Sequence, residues 1–277
     1  MRITRALRFG VGALALALAA SACGGSDEKS ALDNAKDGKL TVGIKYDQPG
    51  LGLRNKDGSF SGFDVEVAKY VAGKLGVKPE SITFKESPTP QRESLIENGQ
   101  VDFIVATYSI TDKRKDKVDF AGPYYVAGQS LLVKSENTDI TGPESLTGNK
   151  KLCSVKGSTP AQNVKEKYAK DVQLQEFDTY SLCVEALLNG SVDALTTDDI
   201  ILAGFAAQSP GKLKVVGKSF TTENYGIGLK KGDKELRDKV NDAIEAMIAD
   251  GSWDKALAST VGASGFQAAS KPTVNRY

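Results

Sequence analysis

Three small hydroxyl side chains and one arginine follow a short apolar run in the sequence. The run covers residues 103–106 and has the character of a buried strand, and Thr107, Ser109, Thr111 and Arg114 come shortly after it. In open α/β sheets, ligands bind in the crevice at the carboxyl ends of the strands. A guanidinium presents a planar fork of donors that matches a carboxylate. The pattern therefore predicts a carboxylate-binding site at this end of a strand.

Alternating strand and helix patterns supply the elements that must position this site. The alternation in the first half of the chain indicates an α/β fold, with a largely parallel sheet and helices on both of its faces. A second alternation follows and predicts a second lobe, so that two lobes face a cleft. The first set of patterns lies at 40–45, 62–75, 81–85, 90–98 and 101–106, and the second at 151–155, 161–170, 172–176, 180–188, 192–195, 199–207 and 213–216, followed by 225–229, 234–250 and a helix from Trp253.

Composition narrows the classes of function. The chain has 277 residues, which suffices for one large or two medium domains. Its 36 Lys and Arg residues nearly balance its 35 Asp and Glu residues, so no basic field favours nucleic acid as a partner. The sequence contains no histidine, which excludes Ser-His-Asp and Cys-His nucleophiles and histidine-ligated zinc. We predict no cofactor and no metal.

The first 22 residues have the pattern of a secretory signal peptide. Arg2, Arg5 and Arg8 precede an apolar run at 9–20, which is too short for a convincing membrane span. Small residues then lead into Cys23. This segment resembles the lipobox of bacterial lipoproteins, and the resemblance implies that Cys23 is lipidated. The alternative is a secreted protein with a free Cys23. Residues 23–37 are polar and predict a flexible tether.

Two further cysteines, Cys153 and Cys183, give an even number in an exported chain. A disulfide between them would close a loop of about 30 residues and stabilise the fold by about 3–4 kcal/mol in the chain-entropy model. The alternative is two buried thiols. A redox or metal role is disfavoured because the sequence has no CxxC spacing.

Four sequence blocks resemble the solute-binding proteins of polar amino acid ABC transporters. They are GFDVEV at 62–67, ITDKR at 110–114, FAGPYY at 120–125 and YGIGLKKG at 225–232, and the resemblance covers roughly residues 38–260. The chain is most similar to the glutamate-binding lipoproteins of that family. The resemblance implies a two-lobed α/β fold of the type II periplasmic-binding-protein kind, with two crossover strands as the hinge.

The resemblance also implies a domain plan and a role. Lobe one is expected at 38–132 plus 222–266, lobe two at 133–221 and a C-terminal tail at 267–277. The implied protein is a monomer, lipid-anchored on the extracytoplasmic face of the cell membrane, that delivers an amino acid to an ABC permease without an enzymatic step. Glutamate is favoured as the ligand, and its ranking against aspartate, glutamine and asparagine stays open.

Site residues carry over from the family at matching positions. The α-carboxylate is expected to bind Arg114, aided by the three hydroxyl residues before it and by the free amides of a Gly-Ser-Thr turn at a helix N-terminus. Asp198 is expected to accept from the α-ammonium. Pro160 departs from the pattern, since some members have a polar contact there. The complete set for this end of the ligand is Thr107, Ser109, Thr111, Arg114, Gly157, Ser158, Thr159 and Asp198.

Specificity for the ligand side chain is expected from Lys45 and Arg92. Lys45 stands where binders of basic amino acids carry an aspartate, and Arg92 matches an arginine that reaches a side-chain carboxylate, so the pair favours an acidic ligand. Gln48 stands where some members have an aromatic cover. The alternatives are surface charges at Lys45 and Arg92, a strand cap at Arg114 and ordinary helix caps at Ser158, Thr159 and Asp198. Three tyrosines are expected to pack in the core and hinge: Tyr124, Tyr125 and Tyr225.

Two other functions stay open at this point. One is a sensor that binds the same amino acid and signals to a membrane partner. The other is a dehydratase-type or peptidoglycan-cleaving enzyme on the same fold, since fold does not determine function. Such an enzyme needs a poised acid or base in its cleft.

Overall fold

The computed structural model describes residues 29–168, 172–262, 266 and 270–276. The predicted signal peptide, the predicted lipidation site Cys23 and the first part of the predicted tether lie outside the described residues. Within those ranges, no helix is both long and apolar enough to cross a bilayer.

Thirteen strands are found in the described ranges. They are β1 (Leu40–Ile44), β2 (Asp47–Gln48), β3 (Gly52–Arg54), β4 (Phe60–Ser61), β5 (Ile82–Glu86), β6 (Phe103–Ile104), β7 (Val118–Ala127), β8 (Gln129–Lys134), β9 (Lys150–Val155), β10 (Val172–Phe177), β11 (Ala194–Asp198), β12 (Leu213–Val216) and β13 (Glu223–Lys230).

Nine α-helices accompany these strands in the same ranges. They are α1 (Ala31–Lys36), α2 (Phe63–Lys74), α3 (Arg92–Glu97), α4 (Asp112–Lys115), α5 (Thr159–Lys167), α6 (Tyr180–Leu188), α7 (Asp199–Gln208), α8 (Lys234–Ala249) and α9 (Ser252–Ser259).

Each of the two lobes is built on a five-stranded sheet. The first sheet has the order β5-β1-β6-β13-β7 and the second has the order β10-β9-β11-β8-β12. The predicted largely parallel pairing holds for β1, β5 and β6 and for β9, β10 and β11. Strands β13, β8 and β12, whose direction the sequence did not predict, run antiparallel to their neighbours. These strands lie at or next to the points where the chain passes between the lobes, so both sheets are mixed.

The chain passes between the sheets twice, and this makes the first lobe discontinuous. It leaves the first sheet at the end of β7 and enters the second at Gln129, which pairs with Asp198. It returns between β12 and β13. The crossing therefore falls at Gly128, ahead of the predicted boundary between residues 132 and 133.

Helix α1 shortens the predicted tether. The Ser30 hydroxyl accepts from the Asp33 amide at the start of this helix, and Asn34 donates to the Asp102 carboxylate at 2.7 Å. Leu32 and Ala35 pack against the core of lobe one. The expectation of a flexible segment up to residue 37 is wrong from residue 31 onwards, because these apolar side chains have a surface to bury against.

Aromatic side chains fill the core beneath the hinge. The Phe63 ring meets the Trp253 ring edge-on with 5.7 Å between centroids, and the Trp253 indole donates to the Tyr124 carbonyl at 2.8 Å. Tyr125 and Tyr225 pack beside them, fully buried. The three tyrosines pack in the core as expected, and α2 contributes the buried Phe63, Val67 and Val71.

The predicted disulfide between Cys153 and Cys183 is present and joins β9 to α6 within the second lobe. Its Cα atoms lie 5.7 Å apart, within the usual range for a disulfide, and both residues are buried. The alternative of two free thiols is wrong.

Reduction of this disulfide should lower the melting temperature. The 30-residue separation predicts a loss of about 3–4 kcal/mol, which for a domain of this size corresponds to roughly 10 °C. Differential scanning calorimetry with and without reductant measures it. A Cys153→Ala/Cys183→Ala double variant is the control, because reductant should leave its melting temperature unchanged. Identical melting of the native chain in both conditions would contradict the prediction.

Candidate functional site

A polar cleft lies between the lobes, at the carboxyl ends of strands from both sheets. Side chains from both lobes line it, and it is partly open to solvent. Seven of the predicted site residues line it: Arg92, Thr107, Ser109, Arg114, Ser158, Thr159 and Asp198. Four residues that the sequence did not single out as site residues also line it: Thr89, Pro160, Tyr180 and Ile201.

Arg114 is held in the cleft by backbone carbonyls from both lobes. One terminal nitrogen donates to the Ser109 carbonyl at 2.7 Å and the other to the Gly157 carbonyl at 3.1 Å. Its Nε lies 3.5 Å from a Glu93 carboxylate oxygen. Burial lowers the pKa of Arg114 to about 10, so the guanidinium is still charged at neutral pH. Its contacts fit a cleft residue better than a strand cap.

Thr111 has a different place from the one expected. Its hydroxyl accepts from the Arg114 amide at 3.3 Å and caps helix α4, and it does not line the cleft. Thr111 therefore orients the turn that carries Arg114, and the expectation that it faces the ligand is not supported by this geometry.

Arg92 is a buried cation, which excludes the alternative of a surface charge. Only 2% of its surface is exposed. One terminal nitrogen donates to the Ala106 carbonyl at 2.8 Å and to the Thr107 carbonyl at 3.3 Å, and the guanidinium lies 4.0 Å from the Tyr108 ring centroid. No carboxylate in the described ranges forms an ion pair with it.

Lys45 is buried near Arg92, with 5% of its surface exposed. Its ammonium donates to the Thr89 hydroxyl at 2.6 Å. Burial, and then the charge of Arg92, lower its pKa to about 7, although Asp47 and Asp64 oppose this shift. The surface alternative is excluded for Lys45 as well.

Gln48 is buried next to the cleft and bonded within lobe one. Its side-chain oxygen accepts from the Thr107 hydroxyl at 3.1 Å, while its Nε2 finds no partner in the part of the chain that the structure describes. The aromatic ring in the cleft comes instead from Tyr180, at the start of α6.

The Gly-Ser-Thr turn of lobe two opens helix α5. The Ser158 hydroxyl accepts from the Ala161 amide at 3.0 Å, so the helix-cap alternative holds for this side chain. The Thr159 hydroxyl lies 3.3 Å from the Ser109 hydroxyl of lobe one and donates to Glu223 at 2.8 Å. Thr159 thus connects both lobes with the returning strand β13.

Asp198 places a carboxylate at the end of β11, with 3% of its surface exposed. One oxygen accepts from the Tyr225 hydroxyl, and the other has no partner among the described residues. The residue stands at the N-cap position of α7 but makes no capping hydrogen bond, so the cap alternative is wrong. Burial, and then the neighbouring Glu223, raise the pKa of Asp198 well above its usual value.

Sequence reasoning missed Glu223 and assigned Tyr225 to packing alone. Both belong to β13, two positions apart, and both bond to lobe-two residues of the cleft: Glu223 accepts from Thr159 and Tyr225 donates to Asp198. The signal that could have found them is their position just after the second crossing between lobes.

The lobes also touch beyond the cleft lining. The Asp47 carboxylate of β2 accepts from the Ser181 amide at 3.2 Å and from the Ser181 hydroxyl at 3.1 Å, at the N-terminus of α6. The Pro49 carbonyl approaches Gly204 of α7 so closely that a Cβ on Gly204 would overlap it. These contacts describe a closed arrangement of the two lobes.

Two α/β lobes, joined by two crossings and closed over a charged cleft, define the class of bilobal solute-binding proteins. Residues 40–262 match the model of the bacterial extracellular solute-binding proteins, family 3, and the chain belongs to that family. The predicted family and the predicted two-lobed type II fold are therefore confirmed.

Relatives with known names span almost the same length. The chain is 50% identical over 263 residues to the glutamate-binding protein GluB of Corynebacterium glutamicum, covering 91% of this chain and 89% of the relative. It is 39% identical over 246 residues to the ABC transporter glutamine-binding protein GlnH of Bacillus subtilis, covering 85% and 89%. A solved structure of an ancestral arginine-binding protein bound to glutamine is 38% identical, with a TM-score of 0.75 over 81% of this chain and 98% of that one.

Substitution of Gly204 by alanine should hold the lobes apart, because the added methyl group meets the Pro49 carbonyl only when they are closed. Small-angle X-ray scattering should show a larger radius of gyration for Gly204→Ala than for the native chain. Gly73→Ala is the matched control: Gly73 also lies in a helix, and a Cβ there has no atom within 4 Å. Equal radii for the two variants would contradict the prediction.

Proposed function

We propose that this chain captures glutamate outside the cytoplasm and delivers it to the permease of an ABC importer. One observation carries the proposal: Arg92 and Arg114 line the cleft, Lys45 is buried close to Arg92, and among the described residues these three cations form one ion pair, Arg114 with Glu93 at 3.5 Å. Buried charges need compensation, and an anionic ligand supplies it. The similarity to glutamate-binding proteins supports the same ligand.

Each group of glutamate has a counterpart in the cleft. Arg114, the Ser109 hydroxyl and the backbone amide of Thr159 offer donors to the α-carboxylate, since the Thr159 hydroxyl already donates to Glu223. Asp198 offers its open carboxylate oxygen to the α-ammonium. Arg92 and Lys45 are the cations for the side-chain carboxylate, and the Gln48 Nε2, which has no partner among the described residues, is a further donor nearby. Charge-assisted contacts contribute about 1.5–3 kcal/mol each, so three or four suffice for the roughly 8 kcal/mol of a micromolar complex.

Binding in this scheme involves no chemical step. The ligand joins cations of lobe one to an anion of lobe two, and its preference for the closed form shifts the population towards closure. Lipidation of Cys23 would keep the protein at the membrane surface, near its permease.

Calorimetric titration with glutamate, aspartate, glutamine, asparagine and arginine tests the proposed ligand. We expect glutamate to bind most tightly and arginine not to bind, because a cationic side chain would meet Lys45 and Arg92. Arg114→Ala should weaken the binding of every amino acid at least 100-fold. Lys113 is an exposed neighbour, and Lys113→Ala should leave the affinities unchanged. Tightest binding of arginine, or no binding of any of the five, would overturn the proposal.

Glutamate affinity should fall as pH rises above about 7. Burial lowers the pKa of Lys45 to about 7, and an anionic ligand favours its protonated form. Below pH 7 the ammonium is already charged. Above it, binding must take up a proton, so Kd should rise by about tenfold from pH 7 to pH 8.5. Calorimetry in buffers of different ionisation enthalpy measures that uptake.

Two comparisons isolate Lys45 in this experiment. Glutamine, which lacks the side-chain charge, should show a much smaller pH dependence, and Lys45→Met should bind glutamate weakly at every pH. A Lys45→Met variant with the same pH profile as the native chain would assign the proton to another group.

A further inference from the structure

Thr107 has a backbone conformation that its residue type rarely adopts. Its φ is +45°, in the left-handed region, and a β-branched side chain makes that region costly. Such a conformation persists only where the surroundings enforce it. Thr107 comes just after β6 and lines the cleft.

Asp64 makes the contact that holds this backbone. Its Oδ2 accepts from the Thr107 amide at 3.0 Å, and its Oδ1 accepts from the Tyr124 hydroxyl at 2.8 Å. Asp64 lies in the first turn of α2 and is fully buried, so its carboxylate is tied to a helix and to a hinge strand. Burial raises its pKa to about 6, while Tyr124, Thr107, Lys45 and Arg92 favour its charged form.

The left-handed turn in Thr107 directs acceptors towards Arg92. The carbonyls of Ala106 and Thr107 both accept from one terminal nitrogen of Arg92, at 2.8 and 3.3 Å. The Thr107 hydroxyl donates towards Gln48. Asp64 itself does not line the cleft, so apart from the attraction between its charge and the nearby cations it acts on Arg92 through Thr107.

We propose that Asp64 is a positioning residue of the binding site: its carboxylate holds Thr107 in the left-handed conformation, and Thr107 in turn places Arg92. The proposal rests on the proposed function, since the binding of glutamate is its main readout. Asp64 reaches no ligand atom in this scheme.

A double-mutant cycle measured by calorimetry with glutamate tests the proposal. Asp64→Asn keeps the shape but loses a charged acceptor and should weaken binding about tenfold. Thr107→Gly adopts a positive φ without strain and should itself weaken binding, since it loses the hydroxyl. The Asp64→Asn/Thr107→Gly variant should bind no more weakly than Thr107→Gly alone, because no strained turn is left to hold.

Tyr124→Phe is the matched control, since it removes the other hydrogen bond of Asp64 and leaves the Thr107 contact. It should lower the melting temperature about as much as Asp64→Asn, yet change glutamate affinity less than threefold. Equal losses of affinity in Tyr124→Phe and Asp64→Asn, or multiplicative losses in the double variant, would overturn the proposal and leave Asp64 a purely structural residue.

Two outcomes separate this proposal from the proposed function. If the native chain binds none of the five amino acids, the proposed function fails. The same double-mutant cycle is then measured by melting temperature without ligand. Asp64→Asn should lower the melting temperature less in the Thr107→Gly variant than in the native chain. If Asp64→Asn alone does not fold, restored folding in that background supports the proposal. The proposal is contradicted if neither Asp64→Asn nor the double variant folds, or if Asp64→Asn lowers the melting temperature equally with and without Thr107→Gly.

Discussion

Three positive charges buried in lobe one, two of them in the wall of the cleft and the third beside it, are the constraint on which the rest of the structure depends. Moving a cation out of water costs several kcal/mol unless oppositely charged groups or well-placed acceptors replace the lost hydration. Here backbone carbonyls replace most of the lost hydration of Arg92 and Arg114, and a threonine hydroxyl replaces that of Lys45. The lowered pKa values of Lys45 and Arg114 show that the compensation is incomplete.

The remaining charge is divided between the lobes. The three cations come from lobe one, whereas Asp198, with one open oxygen, comes from lobe two. A zwitterion with an additional negative group matches that division, because it can satisfy both lobes only when they are together. Direct contacts also join the closed lobes, among them Ser109 with Thr159 and Asp47 with Ser181. A ligand between the lobes would add its charged contacts to these.

Short-range patterns of residue types predicted the helices, strands and strand ends that depend on neighbouring residues alone. The apolar period of α2, the strand before Thr107 and the position of Arg114 at its end follow from the order of residue types. The predicted strand at 101–106 is only Phe103–Ile104, because the chain turns at Thr107. At that turn the Thr107 amide donates to Asp64 of α2, a contact that no pattern within residues 101–106 predicts.

The residues missed in the site depend on contacts between distant parts of the chain. Asp64 lies 43 residues from Thr107, and Glu223 lies 64 residues from Thr159. Glu223 and Tyr225 contact the cleft residues Thr159 and Asp198 because β13 returns from the second lobe into the first sheet. No periodicity within β13 contains that information, and its antiparallel direction was missed for the same reason.

The strand order also bears on how the chain must acquire its shape during secretion. Strand β13 is the last of the thirteen described strands, yet it occupies an inner position, between β6 and β7. The second lobe is assembled from one continuous segment, so its sheet needs nothing from the C-terminal part. The first lobe, which carries the cations, keeps β6 and β7 with unpaired edges until residues 223–230 arrive. A chain that emerges N-terminus first therefore completes its inserted domain before its host domain, and open strand edges persist until late in that process.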